Sequence, residues 1–525
     1  MNEAFRETLS VLKSIVSEPW KRSKREAGLI RWREVMIRMA ADVLFVNFSM
    51  LFAALIWAAF HRDHNSSVAE LITGGRHSVL AYMALWSIIG IALFHLHGFY
   101  TRTRGYAGRY KLLVIFRAVT LVVIAILLAD YMFLGRGFSR AVAALGWGFM
   151  IISVVGARFA KDLVLDMYRI EPRARSPKRV QRVLVLGGAG YVGTALVPQL
   201  LARGYKVRVL DSFMFGSAGI QPFMTNPNFE VMTGDVREIE AVVEVMRDCD
   251  AVIDLAAIVG DPACEQDRQL TVEVNRAATR MLIDIARGYG VTRFLFASSC
   301  SVYGASEFLM DEHSTVAPIS TYAQTKVDSE KLLLDAASRD FHPTVLRLGT
   351  LFGMSGRPRL DLVVNLLTAR AATSGKITVY NGTQWRPFLH VADAARAFVT
   401  CLSADPALVS GEIFNVGDYE FNYRLNDISE KVKKLVPFTE IEHVENGDRR
   451  NYRVSFDKIH SRLGFRCERT VDEGMAEVYE WVKNNNVTDL AAAQFNNLTM
   501  MRAFIQTDQA QKSPLRVLAT LSKCA

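Results

Sequence analysis

A tyrosine and a lysine four residues apart, with a serine upstream, are the side chains of this chain best suited to chemistry. Tyr322 and Lys326 stand in Thr-Tyr-Ala-Gln-Thr-Lys, and on a helix this spacing puts both on one face. A phenol beside a fixed ammonium loses its proton more easily, because the cation favours the phenolate. Ser299 ends a predicted strand and could complete a proton-handling site beside a nicotinamide. The three residues predict hydride chemistry on a sugar or another alcohol.

A glycine-rich turn lies upstream, between a predicted buried strand and a predicted helix. It reads Gly187-Gly-Ala-Gly-Tyr-Val-Gly193. Glycines there allow a tight turn and a close approach of the backbone to a pyrophosphate at the helix N-terminus. Asp211 ends the next strand, and a carboxylate at that place binds ribose hydroxyls and repels a 2′-phosphate, which predicts NAD rather than NADP. Asp235, after the third strand, is either an adenine contact or a helix N-cap.

Strand-like and helix-like stretches alternate from residue 180 onward. Short apolar runs rich in β-branched and aromatic residues begin at Val183, Lys206, Phe229, Ala251, Arg293 and Thr344. Such alternation indicates parallel strands joined by helical crossovers. The predicted fold class is therefore α/β, with a Rossmann-type doubly wound parallel sheet.

The first third of the chain carries most of its apolar excess, in four runs at 39–60, 78–98, 112–134 and 141–160. Each run approaches the ~20 residues that a helix needs to cross a bilayer. Basic residues concentrate before the first run and after the fourth, which predicts that both ends of the bundle face the cytoplasm. With these runs present, the net charge of +9 favours a membrane surface over nucleic acid as the partner.

The six cysteines include no Cys-x-x-Cys pair. This spacing argues against a zinc site or a disulfide framework and fits a reducing compartment, and no metal site is predicted. The first apolar run begins more than thirty residues into the chain and is followed by no small-residue cleavage site, so we expect no cleaved signal peptide.

Several motifs together resemble the extended short-chain dehydrogenase/reductase family, over roughly 180–482. Beside the glycine turn and the tyrosine–lysine pair, they are Leu255-Ala-Ala257, Ser298-Ser-Cys-Ser-Val-Tyr-Gly304, Arg386-Pro-Phe-Leu-His-Val-Ala-Asp393 and Glu412-Ile-Phe-Asn-Val-Gly417. Most members act on nucleotide-linked sugars, and the UDP-glucose 4-epimerases show the most similar pattern. The apolar third resembles the four-helix region of membrane-bound proteins of bacterial surface polysaccharide synthesis.

The resemblance implies a role for each matching position. Tyr322 would be the general acid/base, Lys326 would bind the nicotinamide ribose and lower the pKa of the phenol, and Ser299 would hydrogen-bond the reacting oxygen. Arg386 would clamp the substrate diphosphate. The implied cofactor contacts are Gly187, Gly190, Tyr191, Val192, Gly193, Asp211, Asp235, Val236, Leu255, Ala256, Ala257, Tyr322 and Lys326. The implied substrate contacts are Ser299, Cys300, Ser301, Thr350, Asn365, Arg386, Arg449 and Arg450.

Departures from the family narrow the chemistry. Sugar 4,6-dehydratases carry an acidic pair where this chain has Cys300 and Ser301, so dehydration is disfavoured. Cys300 itself has two interpretations: a cysteine of 3,5-epimerisation, as in GDP-fucose synthase, or a small residue at a strand end. Thr350 replaces an asparagine of many epimerases. Glu445 stands where they carry an arginine, although Arg449 and Arg450 lie close enough to substitute.

The sequence thus predicts five regions. They are a basic N-terminal segment at 1–35, four transmembrane helices at 36–160, a basic linker at 161–179, the catalytic domain at 180–484 with a smaller C-terminal substrate-binding part, and a tail of unknown role at 485–525. The leading hypothesis is a homodimeric, NAD-dependent nucleotide-sugar epimerase of the bacterial inner membrane, with its catalytic domain in the cytoplasm and glycosyltransferases as partners. The alternatives are a 4-reductase or dehydrogenase, a 3,5-epimerase-reductase, an epimerase of lipid-diphosphate-linked sugars, and a non-catalytic scaffold.

Overall fold

The computed structural model describes residues 28–60, 79–96, 108–134, 140–168 and 180–512. These residues form two compact units, one holding the apolar helices and the other holding 180–512. The predicted basic segment before residue 28, most of the predicted linker (169–179) and the end of the tail (513–525) lie outside the described residues. The proposed region boundaries remain predictions.

Four helices make up the first unit. They are α1 (Gly28–Phe60), α2 (Val79–Leu96), α3 (Gly108–Ala129), which ends in a π-helical turn (Asp130–Leu134), and α4 (Arg140–Tyr168). Each contains a stretch long and apolar enough to cross a membrane: Met39–Phe60, Val79–Leu96, Ile115–Met132 and Arg140–Ala157. These stretches coincide closely with the four runs read from the sequence, although α4 continues past residue 160 to Tyr168.

The helices of this unit turn large apolar side chains outward and keep polar contacts inside. Leu44, Ile88 and Ile152 are each about two-thirds exposed, an arrangement that suits a lipid surface better than water. Inside, the Asn47 side chain donates to Ser87 Oγ at 2.8 Å, from α1 to α2. Small residues allow close approach, because a Cβ on a residue at Gly146 would meet the Met50 sulfur at 2.4 Å.

A seven-stranded sheet organises the second unit. Its strands are β1 (Arg182–Leu186), β2 (Lys206–Asp211), β3 (Phe229–Thr233), β4 (Ala251–Asp254), β5 (Arg293–Ser299), β7 (His342–Leu348) and β11 (Glu412–Val416). Their order is β11-β7-β5-β4-β1-β2-β3, and every pairing is parallel. The order reverses at β1, so the doubly wound α/β fold predicted from the sequence is confirmed.

Helices cover both faces of this sheet and link its strands. They are α5 (Tyr191–Ala202), α6 (Ile239–Val245), α7 (Asp261–Cys264), α8 (Arg268–Val272), α9 (Ala278–Tyr289), α10 (Thr321–Asp335), α11 (Val363–Ser374), α12 (Val391–Ser403), α13 (Pro406–Val409), α14 (Leu425–Leu435), α15 (Asp457–Leu463), α16 (Val471–Asn484) and α17 (Asn497–Lys512). A π-helical turn (Glu273–Ala277) joins α8 to α9, and 3₁₀ turns lie at Ala218–Phe223, Cys300–Tyr303 and Tyr419–Phe421. The centre of the sheet is apolar, since Val183, Val185 and Ile253 are fully buried between the two helical layers.

Three smaller sheets form the part of this unit farther along the chain. Their strands are β6 (Ala305–Met310), β8 (Thr350–Phe352), β9 (Lys376–Tyr380), β10 (Trp385–His390), β12 (Asn422–Arg424), β13 (Glu440–Val444) and β14 (Asn451–Val454). They pair as β12-β10-β8, β13-β9 and β14-β6. A second apolar cluster around Phe352, Phe388 and Ile428 lies among them. This part has its own core beside the cleft at the carboxyl ends of the parallel strands.

Candidate active site

The glycine turn sits where β1 meets α5 and leaves room for a ligand backbone. Gly187 has a φ of +75°, a conformation that residues with a Cβ rarely adopt. A Cβ at residue 193 would lie 2.5 Å from the Gly188 carbonyl oxygen. Gly190 begins α5 without a side-chain cap, so the first N–H groups of the helix, from Tyr191 and Val192 on, are available to an anion.

Asp211 lies directly against this turn at the end of β2. One of its carboxylate oxygens accepts a hydrogen bond from the Ala189 N–H at 2.8 Å, and the other accepts from the Phe213 N–H at 2.8 Å. Burial raises the pKa of Asp211, and these two N–H donors oppose the rise. The turn also abuts the loop after β4, because a Cβ at 187 would touch Ala256 at 3.0 Å. This cradle of glycines, helix N-terminus and carboxylate fits a dinucleotide.

Asp235 follows β3, but it does not cap a helix. Glu238 is the N-cap of α6, so the N-cap interpretation of Asp235 is wrong. Its carboxylate instead pairs with the Arg237 guanidinium at 2.7 Å, and this pairing helps to lower its pKa against the opposing effect of burial. An adenine contact would have to share the Asp235 carboxylate with Arg237. The neighbouring Val236 is buried.

Ser299, Tyr322 and Lys326 come together beside the glycine turn. The side chain of Ser320 caps α10 by accepting from the Ala323 N–H, so the helix begins at Thr321 and presents Tyr322 in its first turn. Lys326 follows one turn later and is only 3% exposed, and its Nζ donates to the Ala297 carbonyl at 2.8 Å. Ser299 ends β5 and lies close enough to Tyr322 for its side chain to lower the pKa of the phenol.

The electrostatics of this group differ from the expectation in one respect. Burial raises the pKa of the Tyr322 phenol, and the nearby Cys264 and Asp261 raise it further, while Arg359 and the Ser299 side chain lower it. The Lys326 ammonium lies 5.6 Å from the ring centre and is bonded to a carbonyl, so it does not dominate the phenol. The phenol is therefore protonated at neutral pH in this structure.

Lys326 has its own balance of forces. Burial lowers its pKa to about 8, and the Asp254 carboxylate is the strongest opposing influence. Asp254 ends β4 and is 2% exposed, and burial raises its pKa to about 6. Sequence reasoning missed Asp254, although its position at the end of the strand before Leu255-Ala-Ala257 could have pointed to it.

A buried hydrogen-bond network lies behind the three residues, and sequence reasoning missed it as well. Ser298 Oγ donates to Glu330, one turn after Lys326 on α10. The Glu330 carboxylate pairs with the Arg347 guanidinium on β7 through bonds of 3.0 and 2.7 Å. Arg347 also donates to Tyr303 Oη at 2.9 Å. The spacing of four residues from Lys326 to Glu330 was the available signal.

Two of the predicted substrate contacts, Cys300 and Asn365, are buried and bonded to the backbone of the domain. Cys300 is 1% exposed, and its thiol donates to the Arg347 carbonyl while burial raises its pKa. It belongs to the hydrophobic core, so the interpretation as a small residue at a strand end stands. Asn365 is fully buried and bonds the backbone of Gly353 and Arg359, which makes it a brace of the loop after β8.

The remaining predicted substrate contacts vary in accessibility. Ser301 is 6% exposed, and its Oγ has no hydrogen-bond partner among the described residues. Thr350 begins β8 and is half-buried, whereas the Arg449 side chain is exposed. These three residues stay candidates on position alone.

Arg386 and Arg450 form a cationic pair held by acidic partners. Arg450 pairs with Asp261 at 2.6 Å and with Asp448 at 2.6 Å. Arg386 is 6% exposed, donates to the Arg450 carbonyl and lies 3.5 Å from the Asp448 carboxylate. The ring of Tyr452 lies 5.5 Å from the Arg386 guanidinium. Two guanidinium groups that converge at one place suit a doubly charged anion.

Comparisons with known proteins agree with this site. Residues 183–417 match the NAD dependent epimerase/dehydratase family. The UDP-glucose 4-epimerase of Lactobacillus helveticus is 26% identical over 328 residues, covering 58% of this chain and 98% of that protein. The dTDP-glucose 4,6-dehydratase of Streptomyces niveus is 27% identical over 319 residues, covering 58% of this chain and 93% of that protein. The structure of MoeE5 in complex with UDP-glucuronic acid and NAD is 28% identical, with a TM-score of 0.51, and covers 58% of this chain and 99% of MoeE5.

The sheet order, the glycine cradle with Asp211, and the grouped serine, tyrosine and lysine all agree with this match. The family uses NAD, so the cofactor predicted from Asp211 is confirmed. Its activities are those of sugar-nucleotide epimerases and related oxidoreductases. Residues 183–417 of this chain therefore form a domain of the NAD-dependent epimerase/dehydratase family, of the extended short-chain dehydrogenase/reductase type.

Proposed function

We propose that this chain is a membrane-anchored epimerase that acts at C4 of a UDP-sugar and supplies surface polysaccharide synthesis. The observation that carries the proposal is the grouping of Tyr322, Ser299 and Lys326 beside the glycine turn, with no carboxylate at Cys300 or Ser301. Without such a carboxylate beside Ser299, the elimination of water is disfavoured. The intact proton-handling set is what inversion of a hydroxyl-bearing carbon requires.

The residues divide the work as follows. As the phenolate, Tyr322 Oη takes the proton of the C4 hydroxyl. Ser299 hydrogen-bonds the reacting oxygen, and the Lys326 ammonium lies near the phenol ring. Bound NAD supplies a hydride acceptor and donor and a positively charged ring. Because burial raises the pKa of Tyr322, proton loss depends on positive charge brought close to the phenol. Tyr322 later returns the proton to the inverted hydroxyl.

Arg386 and Arg450 are the proposed anchor for the diphosphate. Asp448 contacts both guanidinium groups, and Asp261 pairs with that of Arg450 alone. A diphosphate oxygen would replace the long 3.5 Å contact from Arg386 to Asp448, which is the weakest bond of the set. This anchor would bind the diphosphate of a nucleotide-linked or of a lipid-linked sugar, so the test below includes both kinds of substrate. The four apolar helices support the membrane part of the proposal.

The test uses the full chain in detergent with NAD, and NMR of the product. One arm takes UDP-glucose or UDP-galactose as substrate, and the other takes a lipid-diphosphate-linked glucose. We expect an epimer mixture without net NADH, and Tyr322→Phe lowers kcat by about 10²-fold or more. Tyr380→Phe is the matched control, because Tyr380 is exposed on β9 and none of the described contacts joins it to Tyr322, and it retains wild-type activity.

Two results overturn the proposal. One is stoichiometric production or consumption of NADH, which identifies a dehydrogenase or a 4-reductase. The other is a Tyr322→Phe variant with wild-type rates, which rules out the proton transfer at that residue. If only lipid-diphosphate-linked sugars are turned over, the proposed epimerase reaction stands, but its substrate carries a lipid instead of a nucleotide.

A further inference from the structure

Residues 485–506, which we call the C-terminal strap, lie beyond the family match at 183–417 and beyond the end of α16. The first half of the strap packs back onto the domain. Phe495 meets the Trp481 ring edge-on at 5.6 Å, and its carbonyl accepts from the Leu360 N–H at 3.0 Å. Val487 and Leu490 pack on the same apolar cluster, which includes Val478 and Ala369. The strap is thus a folded part of the catalytic unit.

Asn497 begins α17 and joins two loops that border the active-site cleft. It is 3% exposed. Its Oδ1 accepts from Arg357 Nη2 at 2.7 Å, in the loop after β8, and its Nδ2 donates to the Val259 carbonyl at 3.2 Å, in the loop after β4. Its N–H donates to Asp361 at 3.2 Å. One side chain therefore ties the Rossmann side of the cleft to the other side.

Arg357, which is bonded to Asn497, also contacts the elements around the proposed cofactor site. Its guanidinium stacks on the Phe215 ring at 3.9 Å, in the loop that follows Asp211. Its N–H also donates to Thr194 on α5. Arg357 is 6% exposed, and burial lowers its pKa to about 10, so its orientation depends on the few partners that it has.

Met501 lies one turn after Asn497 and covers the residues around the catalytic tyrosine. It is 2% exposed and completes a small apolar cluster with Ile258, Ala263 and Cys264. Tyr322 packs against this cluster, and so does Ile505 of the strap. Cys264 is fully buried beneath it. The strap thus forms part of the apolar surroundings that keep water from Tyr322.

We propose that the C-terminal strap is a wall of the active site, in which Asn497 is a positioning residue and Met501 excludes water from Tyr322. Asn497 holds the loops after β4 and β8 at a fixed separation while an intermediate occupies the cleft. Met501 keeps the cluster around Tyr322 closed. The effect on the intermediate rests on the proposed epimerase function, whereas the covering of Cys264 does not.

The first measurement needs no substrate. The full chain, Met501→Ala and a chain that stops after residue 496 are treated with iodoacetamide in detergent, and the modification of each cysteine is followed by mass spectrometry. We expect Cys264 to react at least about tenfold faster in both variants, because burial holds its pKa at about 12 and removal of the cover both exposes it and relieves that burial. Cys401, fully buried in α12, stays unmodified and reports an intact fold.

The second measurement is kinetic. Asn497→Ala releases NADH and a keto sugar during turnover, and it moves the acidic limb of the kcat profile to lower pH, because a less buried Tyr322 has a lower pKa. Asn497→Asp, which keeps the acceptor for Arg357, restores part of the wild-type behaviour. Gln506→Ala, exposed at the end of the strap, matches wild type in both measurements.

The outcomes separate the two proposals. Equal labelling of Cys264 in wild type, Met501→Ala and the shortened chain would overturn the proposal that the strap is a wall of the active site. An unchanged pH profile together with retained intermediate in Asn497→Ala overturns the positioning role. A wild-type chain that forms no epimer would overturn the proposed function. The labelling of Cys264 would still test whether the strap is a wall of the active site.

Discussion

At the scale of single residues, Asp254 and Lys326 show how the site is balanced. Burial pushes the pKa of the lysine down to about 8 and that of the aspartate up to about 6, and each charge opposes the shift of the other. Lys326 is therefore still mostly an ammonium at neutral pH, but with little margin. The chain keeps a cation in the core of the site only because a carboxylate lies near it.

Asp254→Asn tests this balance. The amide keeps an acceptor for the Ala256 N–H but removes the charge that raises the pKa of Lys326. The pKa of Lys326 then falls below about 8, and activity that needs the ammonium is lost at a lower pH. We expect the basic limb of the kcat/KM profile to move down by about one pH unit. Asp335→Asn, at the exposed end of α10, leaves the profile unchanged.

At the scale of the elements, a buried ion pair locks α10 to the sheet. Glu330 and Arg347 have side chains 3% and 4% exposed, and together with Ser298 and Tyr303 they connect α10, β5 and β7. Tyr303 Oη continues to Asn415 on β11 at 2.8 Å. The helix that carries Tyr322 and Lys326 is thus fixed to three adjacent strands.

Glu330→Gln leaves the Arg347 charge buried without its partner. We expect a loss of about 3–5 kcal/mol in the free energy of unfolding, because an uncompensated buried charge is costly. Asp328→Asn is the matched control on the same helix, since its pair with Arg276 is partly exposed and is worth less than about 1 kcal/mol. Denaturant titration of the full chain in detergent, followed by tryptophan fluorescence, measures both. Equal unfolding midpoints for Glu330→Gln and Asp328→Asn would contradict a stabilising role of the buried ion pair.

The sequence predicted the parts of the site that depend on local order along the chain. The glycine turn, Asp211 and the Tyr322–Lys326 spacing each follow from one strand–turn–helix unit, and the structure places them together. The burial of Cys300 and Asn365 was not predicted, because it depends on how the turn after β5 and the helix α11 pack in the folded unit, which motif position alone does not show. Asn497 was missed because its partners lie more than a hundred residues away along the chain.

At the scale of the whole molecule, our proposal gives the first unit the task of holding the enzyme at a membrane. Its helices expose Leu44, Ile88 and Ile152, which a bilayer would cover. The polar groups inside the bundle bond one another, as Tyr82 does with Asp130 at 3.1 Å. The two units have separate cores, and the catalytic residues and the strap belong entirely to the second.

Removal of residues 1–179 therefore tests membrane attachment separately from enzyme activity. We expect the full chain to stay with the membrane pellet after an alkaline carbonate wash, while the chain starting at residue 180 stays in the supernatant. The shortened chain keeps the epimerase activity, because its sheet, helices and strap are complete. Release of the full chain by the carbonate wash would contradict a spanning bundle. Ultracentrifugation and the NMR assay of both fractions decide between these outcomes.

The buried Tyr191 hydroxyl donates to the Gly353 carbonyl at 2.7 Å, and this bond fixes the start of α5 to the loop after β8. Together with the ion pair behind α10, it leaves the walls of the cleft no hinge at this point. If the chain is the C4 epimerase that we propose, inversion requires the keto sugar to show its other face, so the motion falls to the small molecule. Selection among sugars then depends on the volume that the keto sugar passes through as it rotates. A substrate must avoid the walls of the cleft throughout this rotation, as well as fit in the two bound orientations.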